Sequence, residues 1–232
     1  MTSLAVNLIP AKNVHLPQTR YLKNVKSPHL QMLKRGKANK KLGNKVSVKM
    51  WKGMTIYSLT LEERSTCPTD CEQWDNCYGN NMPFAHRFDH TDPSFKEMLE
   101  LQLQELNNKH KNGFVVRLHV LGDFYDGLYI ATWQHWLHKF KNLNVFGYTH
   151  HAYTSQLGTM ISNINNIYPD RFRVRFSDDK DVSFNATVIK PEDKNIWTGP
   201  GILCPEQAGA TPSCADCGYC WASDQPVVFI EH

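Results

Sequence analysis

Four of the seven cysteines of this chain fall between Cys204 and Trp221, in the stretch CPEQAGATPSCADCGYCW. Cys214, Cys217 and Cys220 follow one another at two-residue gaps, and Cys204 is followed by a proline. Thiols so spaced constrain a chain more than any hydrophobic pattern, because the backbone must bend to bring them to one centre. The spacing is that of a cubane iron–sulfur site, in which a short glycine-bearing loop (here Gly218) wraps the cluster and turns backbone amides toward its sulfurs. Here the Cys-Pro element precedes the run instead of following it. A four-thiolate zinc site is the alternative, although such sites usually draw on two separated C-x2-C pairs.

The other three thiols, Cys67, Cys71 and Cys77, are spaced C-x3-C-x5-C. Three thiolates leave one iron of a [4Fe–4S] cluster without a protein ligand, which is what binding a substrate or cofactor at the metal requires. Zinc could instead take these three with His86 or His90, and one centre pooled from both groups is a third arrangement. An odd number of cysteines and no recognisable signal peptide point to a reducing compartment and a cytoplasmic protein, with thiols used for metal and not for disulfides. No apolar run approaches the ~18–20 residues of a membrane span, so no membrane association is expected.

Charge divides the chain unevenly. Eleven of the 26 Lys and Arg residues lie in residues 1–50, which contain no Asp or Glu. This reads as a basic N-terminal extension, residues 1–45, ahead of an α/β domain at 46–232. Residues 12–49 could hold nucleic acid or a host protein, or wrap the acidic body of the chain itself.

From Val46 the pattern becomes regular. VSVKMW and TIYSLTL both alternate and read as a hairpin or a pair of strands. Residues 91–113 carry Phe95, Leu99, Leu103 and Leu106 at helical spacing, closed by Gly113. FVVRLHVLG is a continuous buried strand, Tyr129 to Phe140 a helix, LNVFGYTH a strand, Ser155–Tyr168 a helix, and RFRVRFS a strand. Strand and helix in alternation give a mostly parallel sheet, open or a partial barrel, with the cysteine-rich loops at one edge. Working groups then gather at the C-terminal strand ends. The first cysteine loop, Gly122-Asp123, Thr149-His150-His151 and Ser177-Asp178-Asp179 all fall there. His150, His151 and His119 are candidate ligands or proton carriers, and Asp178 a candidate ribose or cation ligand. Arg171, Arg173 and Arg175, on one face of their strand, suit phosphate or carboxylate recognition or a covering acidic helix.

A three-cysteine loop after a first strand, with Gly122-Asp123 ending the second, resembles the radical S-adenosylmethionine enzymes, whose first cysteine pair is also spaced x3. They have x2 before the third cysteine where this chain has x5, and here an aromatic, Tyr78, follows the last cysteine. The Cys77-Tyr78 ending, RLHVLGDF, YTHH and the CxxCGYCW tail together resemble an uncharacterised family of phage-encoded gene products, across residues 55–221. The resemblance implies an iron–sulfur protein working inside an infected cell. S-adenosylmethionine would then sit on the Cys67/Cys71/Cys77 cluster, touched by Asp123 and neighbouring Gly122, and the four C-terminal cysteines would hold an auxiliary cluster. A non-catalytic module stapled by iron–sulfur or zinc sites, and an electron carrier, are the other classes compatible with these residues.

Overall fold

The computed structural model describes residues 19–48, 50–179 and 182–231. Lys12, Lys49 and the rest of residues 1–18 of the basic stretch therefore lie outside the described residues. The strands are β1 (Val25–Lys26), β2 (Lys34–Arg35), β3 (Thr55–Ser58), β4 (Arg87–Phe88), β5 (Phe114–Leu118), β6 (Leu143–Thr149), β7 (Phe172–Ser177), β8 (Asn185–Ile189), β9 (Ile202–Leu203) and β10 (Val227–Ile230). The α-helices are α1 (Glu63–Thr66), α2 (Phe95–Lys109), α3 (Gly127–Lys139), α4 (Gln156–Ile167), α5 (Cys214–Cys217) and α6 (Tyr219–Ala222).

Eight strands form one sheet in the order β2-β3-β5-β6-β7-β8-β10-β9, and β1 pairs with β4 apart from it. Every pairing in the large sheet is parallel except that of β2 with β3. The expected mainly parallel α/β sheet is present. It is open, with β2 and β9 as its edges, and does not close into a barrel. From β3 to β7 neighbours in space are also neighbours in sequence. Right-handed crossovers between strands taken in that order leave all the connecting helices on one face.

That face is built as the periodicity requires. Phe95, Leu99, Leu103 and Leu106 of α2 are buried, with Tyr129, Trp133 and Trp136 of α3 and Ile161 and Ile164 of α4, against Tyr57, Phe114, Val116, Val145, Phe172 and Val174 of the strands. Burying each such side chain contributes about 1.5–3 kcal/mol. Asp126 caps α3 by accepting from the Tyr129 amide, and Ser155 caps α4 by accepting from Gly158.

The opposite face has no long helix. Ile56, Val115 and Phe146 point there, and the cover consists of residues 42–54 and the α5–α6 turn, with Leu42, Val46, Trp51, Ala215 and Trp221 buried between. The expected hairpin at Val46 is a correction. Only β3 is a strand, and residues 46–54 form a loop closed by Val46 N–H to Met54 O and Gly53 N–H to Val46 O. Trp51 sits at φ +63 and stacks on Trp221 at 5.5 Å, so its ring serves the core instead of a ladder. The described basic residues are also tied to the body: Met32, Leu33 and Leu42 are buried, and β2 is an edge strand of the main sheet.

Candidate thiol-lined site

At the C-terminal ends of the strands, on the face without long helices, lies a cavity of about 430 Å³, within the usual range for small-molecule sites. Six cysteines line it: Cys67, Cys71 and Cys77 from the loop after β3, and Cys204, Cys214 and Cys220 from the C-terminal segment. Gly122, Asp123 and His119 line it from the end of β5, Tyr148 and His150 from β6, and Arg117 from within β5. The sheet thus gathers both cysteine groups, Gly122, Asp123 and His150 at one place. Cys217 is half-buried outside the lining, and Asp178 is also outside it, its Oδ1 accepting from the Val188 amide at 3.0 Å.

The first group sits on tight turns. Glu62 caps α1, accepting from the Arg64 and Ser65 amides, and Cys67 N–H donates to Glu63 O at 3.2 Å. Cys71 N–H donates to Pro68 O and Asn80 N–H to Cys77 O. Beneath the loop, Arg87 and Glu63 form a buried ion pair of 2.7 Å, and Arg87 also donates to Gly79 O. Burial raises the Cys67 thiol well above its ordinary value, with Asp123, Cys71 and Cys77 adding to the effect. Burial pushes Cys71 up to about 12, opposed by the Gln73 amide, which donates to its sulfur. Cys77 is raised by burial and opposed by the Gly79 amide.

The second group rests on α5, α6 and the strand end at Cys204. Burial takes Cys214 up to about 12, reinforced by Cys220 and Cys204. Cys204 is raised by burial, against amide donation from Gln207 and Glu206. Cys220 is raised by burial, while the cation of Arg175 and the hydroxyl of Tyr148 favour its thiolate. Amides turned onto sulfur are what a thiolate bound to metal needs. Cys71 and Cys77 act on Cys67, and Cys220 and Cys204 on Cys214, so thiols of one group are near one another within the cavity. Among the described residues no three His, Cys, Asp or Glu side chains converge as ligands of one metal ion.

Asp123 is buried and clamps two strand ends: Oδ1 accepts from Phe124 N–H at 2.7 Å and Oδ2 from His150 N–H at 2.8 Å. Burial raises its carboxyl, opposed mainly by His151. Gly122, at φ +84, has no room for a side chain, since a Cβ would lie 2.5 Å from Thr66 Oγ1. His151 Nε2 lies 2.7 Å from Phe124 O. His119 is buried, its Nε2 2.9 Å from the Tyr129 hydroxyl, and burial holds it well below its ordinary value.

A family model described as gene product 88 matches residues 31–223. The chain belongs to the gene product 88 family. No curated protein and no solved structure matches it. The gene product 88 span contains all seven cysteines, Gly122, Asp123 and His150, and ends before β10, whose Phe229 and Ile230 complete the cavity wall.

The strand arginines are a correction to the expectation of phosphate recognition. Arg175 is fully buried and donates to the carbonyls of Cys220, Asn185, Gln225, Tyr219 and Ser223. Arg173 donates to Trp221 O and Ser223 O and pairs with Asp224. Arg171 caps the end of α3 through Leu137 O and Phe140 O. Their donors hold backbone, because the last turns of short helices leave carbonyls unsatisfied. Arg117 and Tyr148 were missed as lining residues. Arg117 breaks the apolar run FVVRL, and a charge inside a buried strand is the signal that pointed to it.

Proposed function

We propose that this chain is an iron–sulfur protein of radical S-adenosylmethionine-like design. In this reading Cys67, Cys71 and Cys77 hold a [4Fe–4S] cluster with one open iron position, and Cys204, Cys214, Cys217 and Cys220 hold a second cluster. The observation that carries it is the meeting of both cysteine groups in one cavity at the C-terminal ends of parallel strands. The sequential strand order from β3 to β7 and the amides directed at Cys71, Cys77 and Cys204 support it. An open-iron cluster supplies a single electron to a ligand bound at that iron. The residues around it would do the rest. Asp123 accepts the Phe124 and His150 amides and the Thr149 hydroxyl, and its remaining lone pair would serve an ammonium donor. His150 lines the wall beside it.

The test is the iron, sulfide and zinc content of anaerobically purified protein, with visible and EPR spectra. About eight irons per chain are expected for two cubanes, with Cys71→Ser and Cys214→Ser each removing half. Zinc alone, in colourless protein, would overturn the reading. It would favour the second one, a non-catalytic metal-stapled module, which the tying-down of the C-terminal group by Arg173 and Arg175 supports.

A further inference from the structure

The basic stretch holds none of the thiols, yet its described portion is held in a fixed shape. No Asp or Glu precedes Glu62. Lys34, Arg35, Lys37, Lys40, Lys45 and Lys52 are all exposed, and none of them forms an ion pair among the described residues. Lys34 and Arg35 lie on the edge strand β2, opposite Ser58 and Tyr57, and Lys45 bridges to Thr55 at the other end of β3. Lys34, Arg35 and Lys45 are therefore set along one sheet edge, with Lys37 and Lys40 on the loop that joins them.

Between them the backbone from Gly36 to Gly43 folds back on itself. A Cβ on Gly36 would lie 2.0 Å from Gly43 O, and Leu42 N–H and Gly43 N–H both donate to Asn39 O. Leu33 and Leu42 anchor the two ends in separate cores, and the Cys214 amide donates to Lys41 O. Fixing the backbone beneath a row of charges lowers the ordering cost of binding. The loop also reaches the cavity: Asn39, Lys41 and Leu42 line it, with Lys41 paired to Glu206 at 3.4 Å.

We infer that the Gly36–Gly43 loop, with Lys34, Arg35 and Lys45, is a docking platform for the phosphate backbone of duplex nucleic acid at the mouth of the cavity. Repeated phosphates are the partner that a row of unpaired cations without interspersed acids fits. Duplex is favoured over single strands because base-stacking sites need exposed aromatic rings. Among the described residues no exposed large aromatic lies within 34–52, and of Tyr78, Phe84, Tyr153 and Trp197 only Tyr78 lines the cavity. The platform is independent of what the thiols bind, and its assay needs no metal.

The test is fluorescence polarisation of the full chain with a labelled duplex of mixed sequence, and with the matching single strand, across a salt series. Lys37→Gln/Lys40→Gln is compared with Lys141→Gln/Lys194→Gln, which removes the same charge from exposed positions elsewhere. The platform variant is expected to bind the duplex at least tenfold more weakly than wild type. The slope of log affinity against log salt should fall by about 2, since each lost phosphate contact removes about 0.9. The control should stay within twofold of wild type. Equal weakening in both variants, tighter binding of the single strand, or no duplex binding by wild type would each overturn the proposal. Circular dichroism of both variants separates lost binding from lost fold.

Discussion

The two cysteine groups share one cavity and differ in what holds them. The C-terminal group is backed by a packed wall. Trp221 lies between Trp51 and Phe146, at 5.5 and 4.7 Å, and Arg175 is buried among five carbonyls of the same segment and its neighbours. The first group hangs on turns between Cys67 and Asn80, above a single buried ion pair, with Glu72, Asp75 and Asn76 exposed around it. A wall pinned by packing and carbonyl caps suits a centre that must not move. The first loop is held by side chains instead, with Trp74 buried beneath Arg64 and Asn76 donating to Glu231. On the proposed reading, the second group would hold the structural centre and the first the one whose ligands exchange.

The strongest way to break that comparison is Arg175→Met. It leaves several buried carbonyls without a donor, and the expected loss is about 3–5 kcal/mol in urea unfolding. A loss below 1 kcal/mol would show that the rigid wall does not depend on this cap. Gly122→Ala probes the other side. At φ +84 with Thr66 Oγ1 in the way, the expected cost is about 1–3 kcal/mol. On the proposed reading, the variant's metal content should fall by half, to that of the C-terminal group, and to nothing when Cys214→Ser is added. Direct substitution sharpens the contrast in chelator-treated protein. Cys204→Ser buries a hydroxyl in a site only 3% exposed and should cost about 1–2 kcal/mol. Cys71→Ser, half-buried on its loop, should cost less than about 0.5 kcal/mol by thermal melting.

The smallest effect is a pH dependence at the shared wall. Burial holds His119 well below 6.5 in the folded chain, so below that pH the unfolded chain binds a proton that the native one refuses. Stability is full above pH 6.5 and is lost as pH falls toward the folded value. The fall is read by urea unfolding at pH 7 and at pH 5.5. His119→Asn should flatten that part of the profile, and an unchanged slope would remove His119 from the account.

Much of this could be read in advance where periodicity and burial agree. Phe95 to Leu106, the run FVVRL and the alternation of RFRVRFS each became the element they suggest, because one apolar face had a core to meet. The loops were legible only as collections of polar residues. Nothing local says that Arg175 spends its donors on carbonyls contributed from Tyr219 to Gln225, since that depends on a contact more than forty residues away. The strand reading of VSVKMW failed similarly: Trp51 stacks on Trp221, 170 residues away, which no local pattern shows. For the thiols, spacing identified the groups, and only the sheet order could bring them to one cavity.

One consequence follows from where the cavity wall comes from in the chain. Its lining begins at Asn39 and ends at Glu231; Ser47 N–H donates to Ala215 O, and Ala215 N–H donates to Leu42 O. A ribosome emitting this protein releases the first cysteine group long before the second, so Cys67, Cys71 and Cys77 stand without their opposite wall while most of the sheet is being made. Contacts so distant in sequence close late. The cell therefore meets the first thiol group in an open form, before the last strand arrives to enclose it.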